Sequence, residues 1–550
     1  MHNKIGQPEA GPDPFFQGSV AGCSTPRRPP ADLRRNGRVR HGDVRYDPGV
    51  IRKLLVANRG EIAVRVLRAA RSLGIRTVAV YSEADRSALH PRLADEAVPV
   101  GPAEARLSYL DRDRLIDAAR RTGADAVHPG YGFLSQDPDF ADACAAAGLV
   151  FVGPSGECMR VLGQKIPARR AMAAAGVPVV PGTLDPLADA AEAAREAERL
   201  GYPVLLKASA GGGGKGIRLV RGAGEMAQAF DRVRSEALSA FGRGEVYLEK
   251  AVARPRHIEV QILADGHGNT VAVGERECSV QRRHQKVVEE CPANRLSPAA
   301  RRGLAEAAVR AAAAVGYRNA GTVEFLVDEG ERFFYLETNT RIQVEHPVTE
   351  EVFGVDLVRE QLRVAGGEAV SFAGRAPAPR GHAIEARICA EDPEDGFLPS
   401  TGTVAHFEAP SGPGIRFDGA LFEGMEVGVH YDPLLAKLIA WGPDRAAALA
   451  RMRTALDETV IAGVRTTVPF LRRLMDLPEF AEGNYDTSLL EGPGRRLLEP
   501  EPPGDLAAVA AVAAVLHRRA RAPRAAAPAA AASPWIAAAR RWTPNGEFPR

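Results

Sequence analysis

From residue 51 onward, apolar runs alternate with amphipathic stretches. Residues 54–57 are apolar, the next stretch carries apolar residues at helical spacing and stops at Gly74, and residues 77–81 are apolar again. The alternation continues, and it predicts a helix over 112–121, a strand over 125–128, a helix over 140–147 and a strand over 149–152. Such a β-α-β order predicts a parallel sheet with helices on both faces.

Two short polar motifs follow strands of this predicted sheet. They are Asn58-Arg59-Gly60-Glu61 and the His-Pro-Gly-Tyr-Gly run over 128–132. Ligands of such folds gather beyond the carboxyl ends of the strands, where both motifs lie. Each motif taken alone is also typical of a turn whose polar groups are satisfied locally.

The rest of the chain divides by composition. A block over about 163–367 holds a glycine-rich segment and most of the clustered charges, and a block over about 381–491 has β-type runs and turn signals that predict a mixed α+β domain. The Pro-, Ala- and Arg-rich stretch after residue 490 is expected to be a helical or flexible tail, with aromatic anchors at Trp535 and Trp542. Residues 1–50 are expected to be disordered, and one hypothesis is that translation starts near Val50.

Composition excludes several classes of protein. The chain of 550 residues carries 71 basic and 69 acidic side chains, a net charge of +2, so no global charge attracts it to nucleic acid or to an anionic membrane. Six scattered cysteines without a Cys-x-x-Cys pair argue against a disulfide scaffold or a structural zinc site. The apolar runs are shorter than the roughly 18 residues that cross a bilayer. We therefore expect a globular cytoplasmic protein that is long enough to form several domains.

The segment over 207–216 (Lys-Ala-Ser-Ala-Gly-Gly-Gly-Gly-Lys-Gly) follows an apolar strand and precedes another. Consecutive glycines let backbone N–H groups approach a polyphosphate, and the flanking lysines offset its charge. The segment departs from the Walker A pattern, because Lys215 is followed by Gly216 rather than Ser or Thr. It predicts a mobile hairpin lid over a triphosphate; a flexible linker is the alternative.

Glu324 lies in one predicted strand, and Glu337 and Asn339 share a face of the next. Two carboxylates and an amide oxygen are hard ligands that suit Mg²⁺, which also takes oxygens from nucleotide phosphates. Arg341, Gln343 and Glu345 are predicted to continue the same two-residue alternation, which would place an anion site beside the metal.

A charged cluster over 278–290 has no interleaved aromatic residues, and an acidic pair closes it, which favours a catalytic wall over a nucleic-acid surface. Cys278 in this cluster is either a nucleophile or a buried inert thiol. His257 either contacts phosphate or lies in a core strand.

The runs over 55–63, 128–135, 211–216, 281–290 and 337–347 together resemble biotin carboxylase, the ATP-grasp enzyme or subunit of biotin-dependent carboxylases. The resemblance extends over about 51–490 without a large gap. It implies an α/β and α+β multidomain fold. The implied parts are a disordered extension over 1–50, a Rossmann-like domain over 51–162, an ATP-grasp domain over 163–368 with a mobile lid at about 179–251, a mixed α+β domain over 379–491 and a low-complexity tail over 492–550.

The resemblance also implies ATP- and Mg²⁺- (or Mn²⁺-) dependent carboxylation of biotin by bicarbonate through carboxyphosphate. Glu345 matches the general base and Arg387 the arginine that stabilises the biotin enolate, while Arg341 and Lys286 complete the implied catalytic set. The implied metal ligands are Glu324, Glu337 and Asn339, and the implied bicarbonate site is Lys286, Arg341, Gln343 and Val344. The implied ATP site is Lys165, Lys207, Gly212, Gly213, Gly214, Glu249, Lys250, His257, Gln281 and His284.

No Met-Lys-Met sequence occurs in the 550 residues, so the resemblance further implies that biotin arrives on a carrier protein and that a carboxyltransferase on another chain completes an acyl-CoA carboxylase. It implies a homodimer, with neither nucleic acid nor membrane as a partner. Another ATP-grasp ligase that joins a carboxylate to an amine, and a non-catalytic nucleotide-binding scaffold, are the alternatives. The run 281–286 together with Arg387 argues against the first, and the presence of Glu324, Glu337, Asn339 and Glu345 argues against the second.

Overall fold

A computed structural model of the chain describes residues 51–209, 216–374, 377–498 and the single residue 514. The expectations for residues 1–50, for Gly212, Gly213 and Gly214, and for most of the 492–550 tail therefore lie outside the described residues. Residues Pro493–Leu498 form a 3₁₀ helix that contacts the helix over Val468–Leu474.

The first part of the chain is a parallel sheet wrapped by helices. Its elements are β1 Lys53–Val56, α1 Gly60–Ser72, β2 Arg76–Ser82, α2 Leu89–Leu93, β3 Glu96–Gly101, α3 Arg112–Thr122, β4 Ala126–His128, α4 Pro138–Ala146, β5 Val150–Phe151 and α5 Gly156–Leu162. Five described strands pair in the order β3-β2-β1-β4-β5, all parallel. The run 54–56 is fully buried because both faces of β1 are covered, which is why it reads as continuously apolar. The predicted β-α-β alternation is confirmed.

The two motifs after β1 and β4 meet where the strand order reverses. The Asn58 side-chain amide donates to the carbonyls of Pro129 and Tyr131, both at 2.7 Å. The first motif leads directly into α1, and its Asn58 side chain joins the two neighbouring loops at the carboxyl edge of the sheet.

Three helices and a small antiparallel sheet follow. Its elements are α6 Lys165–Ala174, α7 Ala190–Leu200, β6 Val204–Ala208, β7 Ile217–Val220, α8 Met226–Phe241 and β8 Val246–Lys250. Three described strands pair in the order β7-β6-β8. Since β6 and β7 pair antiparallel on either side of the glycine-rich segment, the two strands predicted there are confirmed.

The next part supplies most of a large antiparallel sheet. Its elements are β9 Arg256–Ala264, β10 Thr270–Arg282, β11 Gln285–Cys291, α9 Pro298–Ala314, β12 Asn319–Val327, β13 Phe333–Asn339, α10 His346–Phe353 and α11 Leu357–Ala365. Helix α9 packs on β9 and β10, and buries Ala300, Leu304, Ala307, Ala308, Ala311 and Ala312. This i, i+4, i+7, i+8 spacing keeps one helix face apolar.

The last part completes the same sheet. Its elements are β14 His382–Cys389, β15 Glu391–Asp392, β16 Leu398–Pro399, β17 Gly402–Thr403, β18 His406–Glu408, β19 Ile415–Gly419, β20 Glu426–Val427, β21 Leu434–Gly442, α12 Arg445–Glu458, β22 Val460–Ala462, α13 Val468–Leu474 and α14 Pro478–Ala481. Eight of the described strands pair in the order β13-β12-β9-β10-β11-β14-β21-β19. One sheet therefore runs from the second block of the sequence into the third through the β11–β14 pair, and the domain boundaries near 368 and 379 stay predictions.

A search of the described residues finds no helix that is both long and apolar enough to cross a membrane.

Candidate active site

The polar face of the large sheet is built by two-residue alternation on β9, β12 and β13. His257, Glu259 and Gln261 alternate along β9, and Glu324 on β12 lies opposite Glu259 on one side and Glu337 of β13 on the other. All of these except Glu337 are buried. The strand register therefore gathers carboxylates that are far apart in the sequence.

Lys286 on β11 is the cation at the centre of these carboxylates. Its ammonium lies 2.5 Å from Glu259, 2.9 Å from Glu324 and 2.6 Å from Glu345. Burial alone would lower the pKa of Lys286, but the surrounding carboxylates raise it well above its ordinary value. Lys286 is therefore a fixed positive charge that joins the expected metal site to the expected base.

Glu345 directly precedes α10 and is 1% exposed. One oxygen accepts from Lys286 and the other accepts from Arg387 at 3.0 Å. Although burial opposes ionisation, these two cations hold the pKa of Glu345 far below its usual value. The carboxylate is thus charged and aimed between the two cations.

Arg387 on β14 is held from two sides. Its Nε donates to Glu289 Oε1 on β11 at 2.6 Å, while Nη2 reaches Glu345. A guanidinium that bridges two carboxylates has a fixed plane, as expected for a group that must face an anion.

The three expected metal ligands lie at the β12–β13 edge of the sheet. The Asn339 amide donates to Glu324 Oε1 at 2.8 Å, and its own oxygen accepts from Arg341 Nη2 at 3.4 Å. Although burial opposes ionisation, Lys286 and His257 lower the pKa of Glu324. The pKa of the more exposed Glu337 is raised, first by loss of hydration and then by the negative charge of the facing Glu324. Two carboxylates whose pKa values are shifted in opposite directions, together with an amide oxygen, form a set of oxygen donors that fits a Mg²⁺ ion.

Two other groups of possible metal ligands lie in the same buried cluster. Single ligand atoms of His257, Glu259 and Glu324 lie within 4.8 Å of one another, and so do those of Glu259, Cys278 and Glu345. Arg276 and Lys286 already occupy both oxygens of Glu259. The set at the sheet edge instead pairs Glu324 with the exposed Glu337 and the Asn339 amide, all oxygen donors, and it is the better match to a hard cation.

The expected phosphate-binding lysines meet beneath the small sheet. Lys207 on β6 lies 2.5 Å from Glu249 on β8, which also binds Arg169 of α6. Despite its burial, Lys207 and Arg169 keep the pKa of Glu249 low, and burial followed by the Lys207 charge lowers the pKa of Lys165. Three cations around one carboxylate leave a surplus of positive charge for a polyphosphate.

The other expected nucleotide residues lie in three different places. His257 Nδ1 lies 2.8 Å from the Gln281 amide, and its Nε2 lies 3.1 Å from Glu324, so both residues belong to the buried cluster. The side chain of Lys250 instead donates to the carbonyls of Gly201 and Tyr202 at 2.7 and 3.0 Å, away from that cluster. His284 is exposed at the turn between β10 and β11, where its φ is 64°.

The loop after β13 brings in the expected bicarbonate residues. The predicted strand alternation through residue 345 is wrong, because β13 ends at Asn339 and a loop leads into α10. Gln343 nevertheless enters the cluster, donating to Glu324 at 3.0 Å and accepting from Arg276 at 3.2 Å. The Val344 carbonyl accepts from Lys437 at 3.1 Å.

Several buried charges of the site were missed from the sequence. Arg276 is fully buried and binds Glu259, Gln261, Thr322, Gln343 and Thr349. Its signal was the alternation of Arg276 with Cys278 on a strand beside His257 and Glu259. Lys437 carried no such local signal, whereas Glu289 belongs to the acidic pair that closes the charged cluster over 278–290. Cys278 is fully buried and burial raises its pKa well above the ordinary value, which favours the inert-thiol reading.

A parallel nucleotide-binding-like sheet, a small sheet whose strands β6 and β7 flank the glycine-rich segment of the sequence, and a large antiparallel sheet with carboxylates and an amide at its edge define an ATP-grasp enzyme. Comparison with known proteins agrees. The chain matches the family models for the biotin carboxylase N-terminal domain over residues 50–159, the carbamoyl-phosphate synthase L chain ATP-binding domain over 164–372 and the biotin carboxylase C-terminal domain over 385–492. The chain belongs to the biotin carboxylase family.

Individual relatives support this assignment. Biotin carboxylase of Nostoc sp. is 49% identical over 439 residues, which cover 80% of this chain and 98% of the relative. The mitochondrial methylcrotonoyl-CoA carboxylase subunit alpha of Arabidopsis thaliana is 49% identical over 472 residues, 84% of this chain, but this chain spans only 64% of that longer relative.

A solved structure has the same fold. The biotin carboxylase domain dimer of the Hydrogenobacter thermophilus 2-oxoglutarate carboxylase, in complex with MgADP, ADP and bicarbonate, matches with a TM-score of 0.79 and 45% identity, covering 82% of this chain and all of that one (100%). The family resemblance and the multidomain α/β and α+β fold inferred from the sequence are confirmed.

Proposed function

We propose that the chain carboxylates biotin with bicarbonate in an ATP- and Mg²⁺-dependent reaction, and that this is the first half-reaction of a biotin-dependent acyl-CoA carboxylase. The observation that carries the proposal is the Glu345 carboxylate held at 2.6 Å from Lys286 and 3.0 Å from Arg387. A base between two cations suits a reaction in which one anion is deprotonated and a second anion develops beside it.

Glu345 removes the bicarbonate proton, and the bicarbonate oxygen then attacks the γ-phosphorus of ATP while ADP leaves. Lys286, with Arg341 and Gln343 nearby, offsets the charge of the attacking anion. The resulting carboxyphosphate breaks down to CO₂ and phosphate, and the phosphate takes the proton from the biotin ureido nitrogen that attacks CO₂. Arg387 faces the enolate-like charge that this proton transfer creates, and preorganised charge of this kind needs little rearrangement during the reaction.

The phosphates of ATP are bound by Lys165 and Lys207, with Glu249 holding Lys207 in place. Glu324, Glu337 and Asn339 would hold Mg²⁺, which when bound neutralises phosphate charge. The Lys250 side chain is held by the carbonyls of Gly201 and Tyr202, so it does not take part in this phosphate contact. His284, at the turn between β10 and β11, contacts the nucleotide only when the predicted lid at about 179–251 closes. Closure of the lid also keeps water from the labile carboxyphosphate.

The biotin carrier is part of the proposal. Because residues 1–550 contain no Met-Lys-Met sequence, we propose that biotin is presented on a carrier outside these residues and that a carboxyltransferase on another chain accepts the carboxyl group. A homodimer is proposed from the dimer named for the Hydrogenobacter relative. The cytoplasmic location and the domain boundaries stay predictions.

The test measures ADP release by the purified chain with Mg²⁺-ATP, with and without bicarbonate and free biotin, together with transfer of labelled bicarbonate to biotin. The proposal expects ADP release that requires bicarbonate, rises with biotin and is accompanied by labelled carboxybiotin. ADP release at the same rate with and without bicarbonate, and no label on biotin, would overturn the proposal. The exposed Glu306 on α9 offers a matched control, since Glu306→Gln changes the same functional group far from the site.

A further inference from the structure

Two buried glutamates that the proposed mechanism does not use lie beside Arg387. Glu289 on β11 and Glu385 on β14 are directly opposite each other in the antiparallel register, and neither side chain is exposed. Directly opposed residues of an antiparallel pair have Cβ atoms about 5 Å apart. Both lie on the face of the sheet that carries Arg387, since Glu289 contacts Arg387 and Glu385 is two residues from it on the same strand.

The hydrogen bonding of this pair is incomplete. Glu289 uses Oε1 to bind Arg387, but its Oε2 and both oxygens of Glu385 have no hydrogen-bond partner within the described parts of the chain. Lys437, across the ladder from Arg387, faces Glu385 but is already bound to Glu61 and to the Val344 carbonyl. An ionised carboxylate can only accept hydrogen bonds, so two ionised carboxylates facing each other would leave these oxygens unsatisfied and would repel.

A single proton resolves both problems. A protonated carboxyl donates a hydrogen bond to the carboxylate opposite, and the pair then carries one negative charge instead of two. The direction of titration agrees: burial raises the pKa of Glu289 to about 7 and raises that of Glu385 well above its ordinary value. Other titratable or charged groups face the pair from each neighbouring element, namely Lys286 on β11, Cys278 on β10, Arg387 on β14, Lys437 on β21 and Glu345 before α10.

We propose that Glu289 and Glu385 form a carboxyl pair that shares one proton and positions Arg387 for the developing enolate. The inference rests on the proposed function only for its catalytic consequence. With one proton on the pair, Arg387 is shared between Glu289 and Glu345 and keeps positive charge available for the enolate. Loss of that proton adds a buried negative charge beside Arg387, which opposes the developing charge and lowers the rate of biotin carboxylation at alkaline pH.

The direct test does not require turnover. Infrared difference spectra compare the full chain with the Glu385→Gln variant at neutral pH in the region where the carbonyl group of a protonated carboxylic acid absorbs. The expected result is a protonated-carboxyl band in the unmodified protein that is missing from Glu385→Gln and retained in the Glu306→Gln control. Identical bands in all three proteins would overturn the shared proton. Glu385→Met, which is also uncharged and of similar length, provides the same comparison if the amide variant does not fold.

The second readout separates positioning from a merely structural role. In Glu385→Gln, the alkaline limb of the pH profile for biotin-stimulated ADP release is expected to move up by at least about one pH unit, because the carboxyl pair can no longer lose its shared proton. This shift is expected whatever the maximal rate of the variant. The Glu306→Gln profile is expected to match that of the unmodified chain. An unmoved alkaline limb in Glu385→Gln overturns the positioning role. A protein with the infrared band but no biotin carboxylation would contradict the proposed function and leave the carboxyl pair intact.

Discussion

Replacing Glu345 by Gln removes the proposed base while preserving its shape. The amide cannot take a proton from bicarbonate, although its oxygen can still accept from Lys286, 2.6 Å from the carboxylate in the unmodified chain. General bases contribute about 10²- to 10⁴-fold to a rate, or about 3 to 5 kcal/mol of the activation barrier. We expect kcat for bicarbonate-dependent ADP release to fall by at least about a hundredfold.

The contacts around Glu345 predict that this loss of kcat is not caused by a loss of stability. Lys286 keeps Glu259 at 2.5 Å and Glu324 at 2.9 Å, and Arg387 keeps Glu289 at 2.6 Å, so neither cation is left unpaired. Stripping a buried charge of its partners costs about 3 to 5 kcal/mol, and we expect the free energy of unfolding to fall by less than about 2 kcal/mol here. The pKa of Glu345 is depressed in the folded chain, so its stabilising contribution is complete above the ordinary carboxyl pKa and is lost only in acid.

The assay pairs kcat with nucleotide binding. ADP release is measured at saturating bicarbonate and biotin, and the dissociation constant for ATP is measured by direct titration, with Glu306→Gln as the matched control. The expected result is a large loss of kcat with ATP affinity unchanged within about threefold, because the substituted group contacts neither lysine of the phosphate site. Turnover within about tenfold of the unmodified chain, in a folded variant, would refute the assignment of Glu345 as the base.

Three further predictions follow from single contacts. Arg387→Lys keeps the charge but is shorter and lacks the planar guanidinium whose Nε and Nη2 donate to Glu289 and Glu345, so kcat/KM for biotin should fall about ten- to a hundredfold in the ADP-release assay; an unchanged value would contradict the role of that fixed plane. The pKa of Glu290 is lowered from 4.5 to about 2 by His382 and Arg445, so its stabilisation, about 3 kcal/mol, is complete above 4.5 and is lost as the pH falls from 4.5 to 2. Denaturant unfolding of Glu290→Gln should therefore differ from that of the unmodified chain at neutral pH and converge with it in acid, and parallel pH curves would contradict this. Glu337→Gln should raise the Mg²⁺ concentration needed for half-maximal ATP binding about tenfold in a calorimetric titration, and an unchanged Mg²⁺ requirement would exclude it as a ligand.

Local patterns predicted the elements and the faces of the strands. Continuous apolar runs identified the buried parallel strands such as β1, and two-residue alternation placed Glu337 and Asn339 on one face of β13. The same alternation failed after Asn339, because the polar residues at 341, 343 and 345 keep their spacing in a loop. A two-residue period shows which residues share a direction only while the backbone remains extended.

The partners of those residues depend on which strands become neighbours. Arg387 meets Glu289 across 98 residues of sequence, and Lys286 meets Glu345 across 59. Both contacts exist because β11 pairs with β14 and because the loop before α10 returns over that pair. No periodicity within β11 or β14 carries this information.

For the same reason, the buried charges without a catalytic motif were the hardest to anticipate. Nothing in the sequence around Glu289 or Glu385 points to the other residue, and only the strand register makes them an opposed pair, with three oxygens that have no hydrogen-bond partner among the described residues. Their environment differs from that of Glu345, which has a cation on each oxygen, and this difference pushes the pKa values of neighbouring carboxyls in opposite directions. The proposed mechanism keeps one carboxylate ionised as a base and limits negative charge beside the arginine proposed to face the enolate, so it requires that separation of pKa values, and strand order provides it.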